Sequence, residues 1–176
     1  MPRFITALLL ASSLLAASAA SANPVRELIW DDLIPPDAPP VAAQMAPMHD
    51  LSQLANVLNE SGPAASQPAL NAPVVKALDG ENIRLPGYIV PLDTDDNGDV
   101  TSFLLVPYFG ACIHVPPPPP NQIVMVRSQK PVKMESLYQP FWIEGKVKVE
   151  SASSEIADAG YQLQASKIYP YELPDS

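Results

Sequence analysis

A thiol and an imidazole two residues apart, followed at once by a rigid run, form the stretch of this sequence best equipped for chemistry: Cys112-Ile113-His114-Val115, then Pro116, Pro117, Pro118, Pro119 and Pro120, then Asn121-Gln122. Cys112 is the only cysteine of the chain and His114 one of its two histidines. Side chains at i and i+2 of a β-strand share a face, so a strand ending here would set Cys112 beside His114 with Ile113 opposite. Thiolate and imidazole are ligand types that zinc and copper both accept. A metal site needs at least a third ligand, and His49 is the remaining imidazole, with carboxylates as the other source. The same pair is half of a nucleophilic Cys–His arrangement, for which Asn121 and Gln122 are oxyanion donors. A third reading is structural, because a lone cysteine also serves as a small apolar core residue.

The five prolines donate no backbone hydrogen bonds and favour a left-handed extended helix of roughly 15 Å, at about 3.1 Å per residue. This is a stiff spacer. Flanked by Tyr108 and Phe109, the segment Pro116–Gln122 reads as an interaction surface of the kind aromatic grooves recognise. It reads equally as protection of a sheet edge against pairing with other chains.

Asp93-Thr94-Asp95-Asp96-Asn97-Gly98 begins like a calcium loop, but the position that should carry a bidentate Glu is Leu104. The stretch is therefore expected to be an acidic hairpin turn.

These residues sit in a chain of 176 with a formal charge of −9. Met1-Pro2-Arg3, the apolar run Phe4 to Ala17, and Ala20-Ser21-Ala22 before Asn23 follow the order of a secretory signal, so residues 1–22 are expected to be removed. That leaves 154 residues, enough for one modest domain, at a charge of −10 once Arg3 is lost. The expected location is the periplasm, with no direct membrane anchor in the mature chain: no later segment approaches the roughly 20 apolar residues that spanning needs, and no cysteine lies near the cleavage site to carry a lipid. An acidic chain without a Lys/Arg cluster along its sequence disfavours nucleic acid and anionic membrane surfaces as partners.

The elements that must position Cys112 are mostly strands. Residues 23–73 read as an N-terminal arm and linker. Its Trp30, Leu33 and Ile34 are placed to pin it to a core, and one α-helix is expected over roughly 50–60, where Leu51, Leu54, Ala55 and Leu58 repeat at helical spacing. Residues 74–176 form the β domain. Ile83, Leu85, Gly87 and Ile89 alternate with polar neighbours, Phe103 to Val106 suits a strand buried on both faces, and Gln122 to Val126 is a third. Phe141, Ile143, Gly145, Val147 and Val149 alternate with Trp142, Glu144, Lys146, Lys148 and Glu150, and Tyr161 to Ala165 is the fifth. The stretch Ser153 to Gly160 allows a short helix. Five short strands with mid-strand glycines Gly87 and Gly145 predict a mainly β fold, an OB-like five-stranded barrel, with a β-sandwich as the alternative.

Leu85-Pro86-Gly87-Tyr88-Ile89-Val90-Pro91-Leu92, Phe103 to Tyr108, Gly110 to Gln122, and the flanking Trp30-Asp31-Asp32-Leu33-Ile34-Pro35 and Trp142-Ile143-Glu144-Gly145 resemble an uncharacterised bacterial family, domain of unknown function 3299. The likeness spans nearly all of the expected mature chain. It implies an envelope protein of Gram-negative bacteria, often encoded beside ABC transporters, and attaches no role to the matched Cys112, His114 and proline run. Many relatives are implied to be lipoproteins, from which this chain departs. Gly110-Ala111-Cys112 also resembles exported cysteine transpeptidases, but their second motif is absent. The combined expectation is a non-enzymatic periplasmic accessory of an envelope ABC transport system, with Cys112, His114 and His49 as candidate zinc or copper ligands. The alternatives are a pure interaction module working through the polyproline segment and a Cys-dependent enzyme.

Overall fold

The computed structural model describes residues 24–39, 67–112 and 116–172. The expected signal segment, the helix at 50–60, His49 and His114 lie outside them.

Six strands form one sheet: β1 (Arg26–Glu27), β2 (Asn82–Thr94), β3 (Val100–Val106), β4 (Val124–Val132), β5 (Phe141–Lys148) and β8 (Tyr161–Pro170). A two-stranded hairpin, β6 (Ala152–Ser153) and β7 (Asp158–Ala159), stands apart. The sheet runs β1-β2-β3-β4-β8-β5, and β5 pairs back onto the first half of β2, closing a five-stranded barrel with β1 as an added strand. All the barrel pairings are antiparallel except β4 with β8. That order, with the third and last barrel strands parallel, is the Greek-key topology of an OB-like barrel. The sandwich alternative is set aside by the closing β2–β5 ladder.

Alternation explains the interior. Ile83, Leu85, Ile89, Phe103, Leu105, Val124, Val126, Phe141, Ile143, Val147, Tyr161 and Leu163 point inward into one buried cluster. Strands cross closely at the mid-strand glycines. A Cβ on Gly87 would lie 2.8 Å from the Val106 carbonyl oxygen, and one on Gly145 2.2 Å from that of Gln164, beside an irregularity in the β5–β8 ladder. Only a residue without Cβ allows that approach.

The arm closes one end of the barrel. A 3-10 turn, Trp30–Leu33, buries Leu33 completely, and the Trp30 indole N–H donates to the Pro86 carbonyl at 2.7 Å. Leu28 and Leu78 join the same cluster. The Tyr161 hydroxyl, fully buried, donates to the Leu33 carbonyl and accepts from the Val75 N–H, both at 2.7 Å.

The expected turn over Asp93–Asp99 joins β2 to β3. The Asp95 carboxylate accepts the N–H groups of Asn97 (2.9 Å) and Asp99 (3.0 Å), so it shapes the turn as the acidic-hairpin reading requires. One local expectation is corrected: residues 153–160 are a hairpin end, not a helix. The Ser154 hydroxyl oxygen accepts the Ala157 N–H at 3.1 Å and donates to the Ala157 carbonyl at 2.8 Å, closing a tight turn that directs Ala157 and Ala159 into packing. Side chain to backbone bonds of this kind compete directly with helix formation. Among the described residues no helix is long and apolar enough to cross a membrane.

Candidate functional site

The outer face of β3 and β4 is apolar and covered. Leu104, Val106 and Ile123 are fully buried, and with Val90, Met125, Ala111, Ala157 and Ala159 they form a second cluster outside the barrel. The cover consists of the β6–β7 hairpin and the connection from Val106 to Ile123, which holds the Cys112-to-Gln122 signature.

The connection turns sharply as it leaves β3. Gly110 (φ 81°) and Cys112 (φ 67°) both lie in the left-handed region, on either side of fully buried Ala111. Cys112 thus lies in a turn and not at the end of a strand, and its relation to His114 lies outside the described residues. A non-glycine residue in this region is held there by its surroundings at a cost of order 1 kcal/mol or more. Cys112 is half-buried against the outer cluster. Burial pushes its thiol up to about 11, so it is protonated at neutral pH. Beside it, Tyr108 and Phe109 are 42% and 63% exposed, and the Phe109 ring meets Tyr88 edge-on at 5.7 Å.

The proline run lies against the barrel. Pro118 and Pro120 are buried, while Pro116, Pro117 and Pro119 are half-buried. Prolines cannot donate, but their carbonyls accept, and each contact made here uses that. Gln67 donates through Nε2 to the Pro118 carbonyl (2.9 Å) and to the Asp158 carbonyl (2.8 Å), and its Oε1 accepts the Asp158 N–H (2.8 Å). It clamps the run to the β6–β7 hairpin. The Gly160 N–H donates to the Pro120 carbonyl at 2.6 Å, and a Cβ at Gly160 would sit 2.9 Å from that oxygen. Asn121, 1% exposed, donates to the Pro73 carbonyl at 2.9 Å. The Gln122 amide donates to the Trp30 carbonyl at 2.9 Å, tying the segment to the N-terminal arm. Asn121 and Gln122 therefore hold backbone, and the exposed edge consists of Tyr108, Phe109 and the outward sides of three prolines.

Gln67 is the residue that sequence reasoning missed. It lies in a Ser-, Pro- and Ala-rich stretch, its partners are 51 and 91 positions away, and no local spacing marks it. Of the expected metal ligands, Cys112 is placed as above, and His114 and His49 fall outside the described residues. Among the described residues, no three His, Cys, Asp or Glu side chains converge on a point that could hold a metal ion.

An OB-like barrel with one outer face sealed by a proline strap defines the class of this protein. The family model described as "Protein of unknown function (DUF3299)" matches residues 30–170. The chain belongs to that family. It is similar to the crystal structure of a DUF3299 family protein from Pseudomonas aeruginosa, at 62% identity over 86% of this chain and 99% of that one, with a TM-score of 0.76. No curated protein matches the chain.

Proposed function

We propose that this protein is a periplasmic accessory of an envelope ABC transport system that works by binding, with Tyr108, Phe109, Cys112 and the outward sides of Pro116, Pro117 and Pro119 as its contact edge. The observation that carries this reading is an exposed aromatic on a seated turn: Phe109 is 63% exposed, its ring rests edge-on against Tyr88, and Ala111, two residues on, is fully buried. An aromatic presented on a preorganised segment loses little entropy on docking. The Cys112 thiol supports binding over catalysis, because nucleophilic cysteines are activated by a lowered pKa and burial pushes this one up to about 11. The transporter and the periplasmic location rest on the family resemblance and the signal-like N-terminus. The test is binding of the protein to the periplasmic domain of a transporter encoded beside it. Phe109→Ala is expected to weaken it about tenfold or more without lowering Tm. Unchanged affinity in Phe109→Ala and Tyr108→Ala would remove the contact edge.

The same edge bears the metal reading, in which Cys112 supplies a thiolate and His114 an imidazole to zinc or copper, with His49 as the third ligand. Thermal unfolding during zinc and copper titration decides it. A site at hundredfold excess over Kd stabilises by roughly 2.7 kcal/mol. That gain should be present in the wild type and lost in Cys112→Ser and His114→Ala. Equal curves with and without metal reject the reading.

A further inference from the structure

A different outer face of the barrel is open and positively charged, although the chain as a whole is acidic. β4, β8 and β5 lie side by side, and their outward residues line a groove of about 470 Å³ that includes Met125, Arg127, Gln162, Gln164, Lys146 and Lys148. Register aligns them in two rungs: Arg127 opposite Gln164 opposite Lys146, and Met125 opposite Gln162 opposite Lys148. Adjacent strands are about 4.8 Å apart, so Arg127 and Lys146 start roughly 10 Å from each other, a span that two long side chains close onto one ligand.

The two rungs differ in charge balance. Lys148 pairs with Glu150, and the Asp79 carboxylate, which accepts the Val149 N–H at 2.9 Å, lies on the same wall. The Arg127 rung has no such compensation. The cross-strand neighbours of the two cations are Ser102 and Gln164 for Arg127 and Gln164 and Asn82 for Lys146, all neutral; the nearest acidic residue of the rung is Asp93, a further strand away, opposite Ser102. Neither Arg127 nor Lys146 takes part in any salt bridge among the described residues. In a chain with 19 acidic and 10 basic side chains, two facing cations with only neutral cross-strand neighbours are an unbalanced charge pair. The Gln164 amide donates to the Arg127 carbonyl at 3.2 Å, which fixes it between the two cations.

We infer that this groove is an anion-binding site, in which Arg127 and Lys146 hold the carboxylate or phosphate of a small organic anion over Gln164, with the apolar part of the ligand on Met125. Arginine offers a planar fork of donors and lysine a point charge, a combination suited to an oxyanion head. The groove volume is that of a small-molecule site. The net charge of −9 favours a small ligand, because an extended polyanion would meet repulsion beyond the two rungs. The site is separate from the Cys112 edge and does not depend on the function proposed there.

The experiment is calorimetric titration of the whole protein with citrate and with inorganic phosphate, at ionic strength held constant with sodium chloride. Saturable binding is expected for at least one of them. It should weaken about tenfold in Arg127→Gln or Lys146→Gln and vanish in the double variant, with Lys130→Gln, an exposed cation of β4 outside the groove, unchanged. Citrate alone would assign a carboxylate ligand and phosphate alone a phosphate. Should the double variant fail to fold, nuclear magnetic resonance on the wild type decides through the Gln162 and Gln164 side-chain amides, which should shift saturably with the anion. No saturation below about 10 mM with either probe, or equal binding in wild type and double variant, overturns the site.

Discussion

The barrel presents two outer faces that share strand β4 and could hardly differ more. Around Leu104, Val106, Ile123 and Met125 the outside is as buried as the inside, sealed by the chain's own proline strap and the β6–β7 hairpin. One step further along β4, at Arg127, and across to Gln164 and Lys146, the outside is polar and open. The boundary falls at Met125, which belongs to the covered cluster and also lines the open groove. The difference shows what a strap does to a small barrel. The connection that leaves β3 at Val106 and re-enters at Ile123 covers only the strand ends it joins, so apolar residues there become a second core while the rest of the surface remains available. OB barrels commonly bind ligands on the face of their second and third strands. Here those are β3 and β4, and much of that face is occupied in cis.

The largest effect is expected in the barrel that both faces share: Gly145→Ala would drive a Cβ to 2.2 Å from the Gln164 carbonyl oxygen, a backbone atom that cannot step aside. A loss of about 3–5 kcal/mol in urea unfolding is expected. A near-neutral result would mean that β5 and β8 are not packed this closely.

Removing the clamp on the sealed face comes next. Gln67→Ala deletes three hydrogen bonds to Pro118 and Asp158 and should cost about 1–3 kcal/mol. Amide exchange should speed up in residues 152–160 and not in β5. Uniform acceleration across the barrel would show that strap and barrel open as one unit and would blur the distinction between the faces.

At Cys112 the prediction is an inversion of the usual order. With φ at 67°, Cys112→Gly should be about 1 kcal/mol more stable than Cys112→Ala, since a Cβ disfavours that backbone. Equal stabilities would place Cys112 outside the left-handed region.

The smallest effect is one of pH, on the outer face of β5 beyond the cations. Glu144, 7% exposed, accepts from the Lys167 ammonium and the Tyr169 hydroxyl, both at 2.8 Å. The hydrogen bond from Lys167, followed by that from Tyr169, outweighs burial and holds its carboxyl below the ordinary value of 4.5. A lowered folded-state pKa gives stability that is complete above the unfolded value and is lost as pH falls through the folded one. Glu144→Gln should therefore cost stability at pH 7, by about 1 kcal/mol, with the gap to wild type narrowing below pH 4.5. A gap that persists at low pH would assign the loss to packing.

Much of this fold was legible because strand alternation is a local signal. Ile83 to Ile89 and Phe141 to Val147 announce one buried face, and the unbroken run Phe103 to Val106 announces two. Both readings match the burial observed. Gly87 and Gly145 pointed to a small barrel, while the close approach each one permits became visible only with the neighbouring strands in place. The failures share one cause, dependence on distant register. Ser153 to Gly160 suits a helix until Gly160 must meet Pro120, and Cys112 suits a strand end until Ala111 is drawn into the outer cluster. The proline run could be identified as stiff but not as facing inward, because Gln67 contributes from 51 residues away. Arg127 and Lys146, absent from any basic run, become neighbours only once β8 pairs with both their strands.

The strap makes a second core on the outer face of β3, and adjacent residues of that strand test this directly. Leu105 points into the barrel and Leu104 out beneath the strap, both fully buried. Urea unfolding of Leu104→Ala and Leu105→Ala should give comparable losses, each about 2–4 kcal/mol. A loss below about 1 kcal/mol for Leu104→Ala beside a full loss for Leu105→Ala would contradict it, because an outward leucine under a loosely held strap loses little on truncation.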